Sequence, residues 1–140
     1  MKAIWVTLIA VITLMACSKT DESKSAESDK KLIGTWTYTE QYMSIGGPGT
    51  WSPAIPAGQN ITFHKNGKFS ASENFLQGAK QFEFVDSMQV NISPVEGSLG
   101  YVVMGYELSE GDNVLQLYPL EPGRCIEGCA SKFARAGNKR

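Results

Sequence analysis

Two thiols near the end of this chain are spaced so that they could react with each other or share a metal ion. Cys125 and Cys129 are four residues apart, and Glu127 and Gly128 lie between them. A fully extended backbone would separate their Cα atoms by roughly 13 Å, far beyond disulfide reach. Because glycine accepts a positive φ, the segment can turn and bring the thiols together. The spacing fits a disulfide, or half of a zinc site that would need two further ligands.

Other chemistry-bearing residues do not form a catalytic pattern. His64 is the one histidine of the chain, and so its one imidazole for general-base or zinc chemistry. The sequence has no G-x-S-x-G, H-E-x-x-H or paired-carboxylate motif. We therefore predict that the protein is not an enzyme and that it has no catalytic residues, no cofactor and no metal site.

The N-terminus has the pattern of an export signal. Lys2 supplies a positive charge, and Ala3 to Ala16 form an uncharged stretch of 14 residues. A membrane-spanning helix needs roughly 20 residues, so this length fits a cleaved signal peptide over residues 1–16.

The run Leu14-Met15-Ala16-Cys17 resembles the lipobox of bacterial lipoproteins. In that family the cysteine thiol is diacylated, the peptide is cut before it, and the new amine is acylated. The resemblance implies lipidation at Cys17 and a membrane partner. Ser18 resembles the sorting position of outer-membrane lipoproteins, which implies anchoring at the outer membrane, on its periplasmic face or at the cell surface.

Export places the remaining cysteines in an oxidising compartment. With Cys17 assigned to lipid, Cys125 and Cys129 are left as a pair. Zinc commonly has four ligands and tighter cysteine spacing, and the chain has one histidine. The disulfide is therefore the favoured interpretation, and a closed loop of about five residues would stabilise the fold by roughly 2 kcal/mol.

Composition divides the rest of the chain. Residues 18–30 contain no aromatic side chain and no aliphatic one larger than Ala26, so we predict a flexible linker over 17–30. Residues 31–136 have the length of one domain, and 137–140 form a tail. Without Lys2, the chain has 12 basic and 14 acidic side chains, and the sequence contains no stripe of basic residues. Nucleic acid is therefore not an expected partner.

Beyond residue 31 the hydrophobic pattern has a period of two, which predicts strands. From Leu32 to Tyr42 one face carries Leu32, Gly34, Trp36, Tyr38 and Tyr42. Further strands are predicted at 60–64, 68–73, 81–85, 88–93, 100–108, 113–119 and 129–136. The gaps are too short for crossover helices, so we predict an all-β antiparallel meander. Closing about eight strands into an up-and-down barrel would remove the sheet edges.

The segment around Asn66-Gly67 predicts a specific hairpin. A two-residue loop would place Phe63 opposite Ser70. A three-residue loop with Gly67 in the left-handed region pairs Phe63 with Phe69 instead. The second register puts Ile61, Phe63, Phe69 and Ala71 on one face, so we favour it. It also directs His64 outward.

Gly34-Thr35-Trp36 resembles the G-x-W motif of lipocalins, in which the indole closes one barrel end under a basic side chain. Arg135, two residues after Phe133, matches that basic position. The chain resembles small lipocalin-like lipoproteins of Gram-negative envelopes. This resemblance implies structural barrel closure by Gly34, Trp36 and Arg135. The chain lacks the middle lipocalin motif and a helix after the barrel, and its short domain leaves little length for deep walls.

Two functions remain open from sequence. The aromatic side chains Tyr38, Trp51, Phe63 and Phe69 are candidates to bind a small hydrophobic or amphipathic ligand. Residues 45–58 would then form a lid, or else a plug. Alternatively, the barrel is solid, and the protein acts as an interaction or inhibitor module for an envelope protein through loops such as 45–58 and 74–81.

Overall fold

A computed structural model describes residues 30–44, 46–72, 75–97, 99–123, 125 and 129–137. The predicted signal peptide, Cys17, residues 18–29 of the linker and residues 138–140 of the tail lie outside this range. The strands are β1 Gly34–Met43, β2 Thr50–Pro53, β3 Asn60–Phe63, β4 Phe69–Ala71, β5 Gln81–Asp86, β6 Gln89–Ser93, β7 Val102–Ser109, β8 Val114–Glu121 and β9 Cys129–Arg135. No helix in this part of the chain is long and apolar enough to span a membrane.

The strands form one antiparallel sheet in the order β4-β3-β1-β9-β8-β7-β6-β5. Its two edges meet, because Phe69 N–H donates to Lys80 O and Phe82 N–H donates to Gly67 O, both at 2.8 Å. The sheet is therefore a nearly closed barrel of eight strands, which confirms the predicted fold class. β2 lies outside this ring and pairs with the second half of β1.

We call the barrel end where β1 begins and β9 finishes the closed end, and the opposite end the open end. The tight turns at 64–67, 87–88 and 110–113 lie at the closed end, since they join strands that run towards it. The longer connections at 54–59, 72–80 and 94–101 lie at the open end. The two ends therefore differ in loop length, and the loops available for binding are concentrated at the open one.

The predicted Asn66-Gly67 hairpin is confirmed in its register. Phe63 pairs with Phe69, His64 N–H donates to Lys68 O at 2.9 Å, and Gly67 has φ 77°. Phe63 and Phe69 are consequently buried, whereas His64 is exposed and shares a 3.2 Å hydrogen bond with the Ser70 hydroxyl.

The first strand departs from its prediction at both ends. Residues 30–32 form one helical turn rather than part of the strand. Leu32 belongs to this turn, and its side chain is buried in the core. The pairing of β1 with β9 shifts between Tyr38 and Glu40, so a bulge at Thr39 reverses the alternation. Tyr42, predicted on the face of Trp36, is therefore on the outer wall, where it pairs with Ala130 and Trp51.

The segment 45–58 also departs from its prediction as a strandless loop. Four of its residues form β2, in which Trp51 pairs with Tyr42 and Pro53 with Glu40. β1 is longer than β3, and β2 pairs with the part of β1 that β3 does not reach. Backbone groups of β1 that would otherwise face solvent are thereby hydrogen-bonded.

Candidate functional site

Three of the four predicted ligand-binding residues lie inside the barrel, each among other rings. Phe63 makes edge contacts with Phe69 and Phe82, at centroid distances of 5.1 and 4.9 Å. Tyr38 lies 5.2 Å from Phe133, and the exposed fraction of its side chain is 9%. The structure therefore brings Phe63 and Phe69 together, while Tyr38 belongs to a separate aromatic group.

Phe75 covers the rings of Tyr38 and Phe133 on the side that faces the open end of the barrel. Its ring lies 5.4 Å from Phe133 in an edge arrangement and 6.2 Å from Tyr38. Leu76 and Ala79 of the same loop also pack against the core. The sequence predicts this segment, 74–81, as one of the loops for partner binding. The missed signal was the apolar pair Phe75-Leu76 in an otherwise polar connection.

The closed end is sealed around Trp36. Its indole is fully buried, its Nε1–H donates to Leu32 O at 2.9 Å, and the Arg135 guanidinium lies 4.1 Å from its ring centroid. Arg135 also donates to the backbone carbonyls of Asp112, Ile33 and Lys31, at 3.0, 3.2 and 2.6 Å.

Gly34 belongs to the same arrangement. A Cβ at this position would lie 2.9 Å from Arg135 Nη1, and φ is 140°, a value that side chains disfavour. The three residues of the predicted closure are thus in mutual proximity at the closed end.

Trp51, the fourth candidate ligand residue, is on the outer wall. It forms an outer aromatic cluster with Glu40, Tyr42 and Lys132. The Trp51 and Tyr42 rings are 5.2 Å apart, and Lys132 Nζ lies 3.7 Å from the Trp51 ring centroid. Lys132 also forms a 3.2 Å ion pair with Glu40. Because Trp51 does not face the barrel interior, neither a lid nor a plug describes its position.

Three large apolar side chains are exposed at the end of β1 and in two of the longer connections. Met43, Ile55 and Leu99 have exposed fractions of 54, 79 and 74%, and each comes from a different connection or strand end. We group these three side chains with Tyr42 and Trp51, at the neighbouring end of the outer wall, and call the five residues the open-end surface. Exposed apolar and aromatic side chains of these types are common on surfaces that bind other proteins.

Cys125 and Cys129 lie at disulfide distance, with Cα atoms 5.6 Å apart. The predicted pairing is therefore supported by the structure. The pair closes the connection from β8 to β9 at the open end. Among the described residues, no group of three or more His, Cys, Asp or Glu side chains is arranged to hold a metal ion.

One ionisable group on the outer wall has a shifted pKa. Burial raises the pKa of Tyr118 above 10.0, and the carboxylates of Glu107 and Asp86 raise it further. The Tyr118 ring covers Gly105, its partner on β7, so closely that a Cβ at Gly105 would overlap it. Sequence reasoning did not find this contact, because a strand glycine does not reveal which neighbour will cover it.

Three surface clefts have walls formed by described residues. One crosses the outer wall between Thr39 and Asn113, another lies at the closed end between Ile33 and Phe84, and the third lies beside Phe75 at the open end. The described walls of these three clefts do not include Tyr38, Phe63 or Phe69. No protein-family model, curated protein or solved structure matches this chain.

Proposed function

We propose that the protein is a lipid-anchored envelope protein whose solid barrel binds another protein through its open-end surface. The anchoring part rests on the lipobox-like run that ends at Cys17. The binding part rests on the barrel, and one observation carries it: the interior positions are occupied by packed side chains.

The packing extends from one end of the barrel to the other. Trp36 and Leu32 fill the closed end, and the rings of Tyr38, Phe75 and Phe133 pack against one another towards the open end. An eight-stranded barrel is just wide enough for its own side chains or for one small ligand. Here the aromatic rings contact one another, so admitting a ligand would require several of them to move. This favours binding at the surface.

The open-end surface has residue types suited to such binding. Trp and Tyr are enriched among the residues that dominate interface energies, and Met is also enriched at interfaces. The Trp51 ring is restrained by its contacts with the Tyr42 ring and the Lys132 ammonium group. A partner would therefore lose little side-chain entropy from Trp51 on binding. The partner we expect has an apolar ridge flanked by polar groups.

Site-specific photocrosslinking in the host envelope tests this proposal. A photoreactive residue is introduced at Ile55 or Leu99, and the matched control replaces Val85, which is equally apolar and 56% exposed at the closed end. We expect one protein adduct of constant mass from positions 55 and 99, and its loss in the Trp51→Ala variant. Adducts that are equal at all three positions, or absent, would contradict the proposal.

Binding of a small hydrophobic ligand inside the barrel stays a prediction, and it is tested in parallel. Native mass spectrometry of the protein purified from its host reports any retained small molecule. A retained mass that persists in Trp51→Ala but is lost in Phe63→Leu would favour an internal ligand over a surface partner.

A further inference from the structure

The closed end of the barrel has a second surface, distinct from the open-end surface. Val85 and Met88, from the β5–β6 hairpin, have exposed fractions of 56 and 59%. Beside them, Ile33 and Phe84 line a cleft with Lys30 and Lys65. Apolar side chains are thus placed next to lysines that carry long aliphatic stems. This combination is typical of protein surfaces that rest on a lipid headgroup layer.

The chain enters the barrel through this surface at a fixed position. Arg135 holds Lys31 and Ile33 by hydrogen bonds to their carbonyls, and Lys31 forms a 3.3 Å ion pair with Asp112. The point from which the predicted linker departs, Lys30, is therefore part of the closed end.

Tethering alone does not decide which end faces the membrane. Twelve residues lie between Cys17 and Lys30, and the thirteen Cα–Cα steps that join the two span at most about 45 Å when extended. That reach exceeds the roughly 26 Å length of the eight-residue strand β8, so the linker permits either end to approach the lipid. The chemistry of the two ends must set the orientation.

The two ends differ in charge. Among the described residues, the closed end carries the cations Lys30, Lys31, Lys65, Lys68 and Arg135 and the carboxylates Asp86, Glu107, Glu110 and Asp112. The open-end connections and strand ends carry the carboxylates Glu96 and Glu121, whereas Lys80, whose carbonyl accepts from Phe69 N–H, lies at the junction of β4 with β5. Counted over the part of the chain that the structure describes, the closed end is therefore the more positive one. An anionic headgroup layer attracts it and repels the other.

We infer that the closed end rests on an anionic phospholipid surface, with Val85 and Met88 between the headgroups and Lys30 and Lys65 at the phosphates. This inference rests on the proposed lipid anchor and adds an orientation to it: the open-end surface points away from the membrane. The partner of the proposed function is then reached across the aqueous side of the protein.

Position-dependent quenching in vesicles tests the orientation. The acylated full chain is reconstituted into phosphatidylethanolamine–phosphatidylglycerol vesicles that contain a lipid with a headgroup quencher. A polarity-sensitive fluorophore is attached to Met88→Cys, and the matched control is Leu99→Cys at the open end. We expect strong quenching and a blue shift at position 88 only. Equal quenching at both positions, quenching at 99 alone, or quenching at neither would overturn the inference.

The charge requirement has its own matched pair. Lys30→Gln together with Lys65→Gln should weaken the quenching at position 88, since each lysine near an anionic surface contributes about fivefold to the docking equilibrium. Lys80→Gln, which removes a cation at the junction of β4 with β5, should weaken the quenching less. Phosphatidylcholine vesicles should mimic the double variant. Equal effects of the two sets would contradict an electrostatic contact.

Failure of the anchor itself has a different signature. If the protein purified from host membranes carries no acyl mass at Cys17 and does not float with vesicles, the proposed function fails. If it floats but position 88 is not quenched, the anchor stands and the orientation is wrong.

Discussion

The guanidinium of Arg135, near the end of the last strand, lies 4.1 Å from the ring centroid of Trp36 on the first strand. The same side chain donates hydrogen bonds to three backbone carbonyls, two of which belong to Lys31 and Ile33, just before β1. Arg135 therefore connects the segment before β1, the β7–β8 turn and the indole of Trp36. This relationship makes the closed end a single unit.

Replacing Arg135 should destabilise the closed end as a whole. We expect Arg135→Ala to lower the free energy of unfolding by about 2–4 kcal/mol, because it removes the cation–π contact and the donors to three carbonyls. Arg135→Lys keeps the charge but lacks the planar set of donors, so it should recover less than half of the loss. Urea unfolding checks both variants. Lys65→Ala, at the same end, is the control and should stay within about 0.5 kcal/mol of the wild type.

Phe75→Ala should open the barrel at the other end. Removing a half-buried ring that packs on Phe133 should cost about 1.5–3 kcal/mol and leave a cavity beside Tyr38. We expect the variant, but not the wild type, to bind an anilinonaphthalene dye with increased fluorescence. Leu99→Ala is the matched control and should do neither. Equal dye binding by the wild type would mean that the interior is not filled.

The raised pKa of Tyr118 predicts a pH dependence of stability at alkaline pH. The folded state holds the phenol proton more tightly than the unfolded state, whose pKa is near 10.0. The stabilisation is therefore complete below that pH and is lost as the pH rises through the higher folded-state pKa.

Tyr118→Phe keeps the ring over Gly105 but has no proton to lose. Its stability should fall less steeply than that of the wild type in urea unfolding as the pH rises above the unfolded-state pKa of about 10. Parallel profiles for the two proteins would show that Tyr118 does not contribute.

Reduction of the Cys125–Cys129 pair should lower the free energy of unfolding by about 2 kcal/mol, the value for a loop of about five residues. Urea unfolding with and without a phosphine reductant measures the difference. The Cys125→Ser, Cys129→Ser double variant should match the reduced wild type and should not respond to reductant. If the wild type is also insensitive, the two thiols are not joined.

Sequence reasoning succeeded where the determining contacts are local or follow from a repeated pattern. Asn66 and Gly67 restrict their hairpin to a few turn types, and burial of Phe63 and Phe69 selects one register among them. The same alternation located the eight barrel strands to within about two residues at most ends.

Prediction from sequence failed where a contact depends on distant parts of the chain. The bulge at Thr39 arises between β1 and β9, and it moves Tyr42 to the outer wall without any mark in the local pattern. β2 forms because β1 extends beyond β3, a length difference that residues 45–58 do not encode. Phe75 enters the core from a connection too short to show a period.

The junction of β4 with β5 has a consequence for how the molecule comes apart. Between these strands, the described backbone contributes the hydrogen bonds Phe69 to Lys80 and Phe82 to Gly67, whereas β7 and β8 are paired along seven positions. Amide protons at this junction should exchange with deuterium earlier than those of β7, β8 and β9. The junction of β4 with β5 is therefore the weakest strand pairing of the barrel, and we expect partial unfolding to begin with the separation of these two strands.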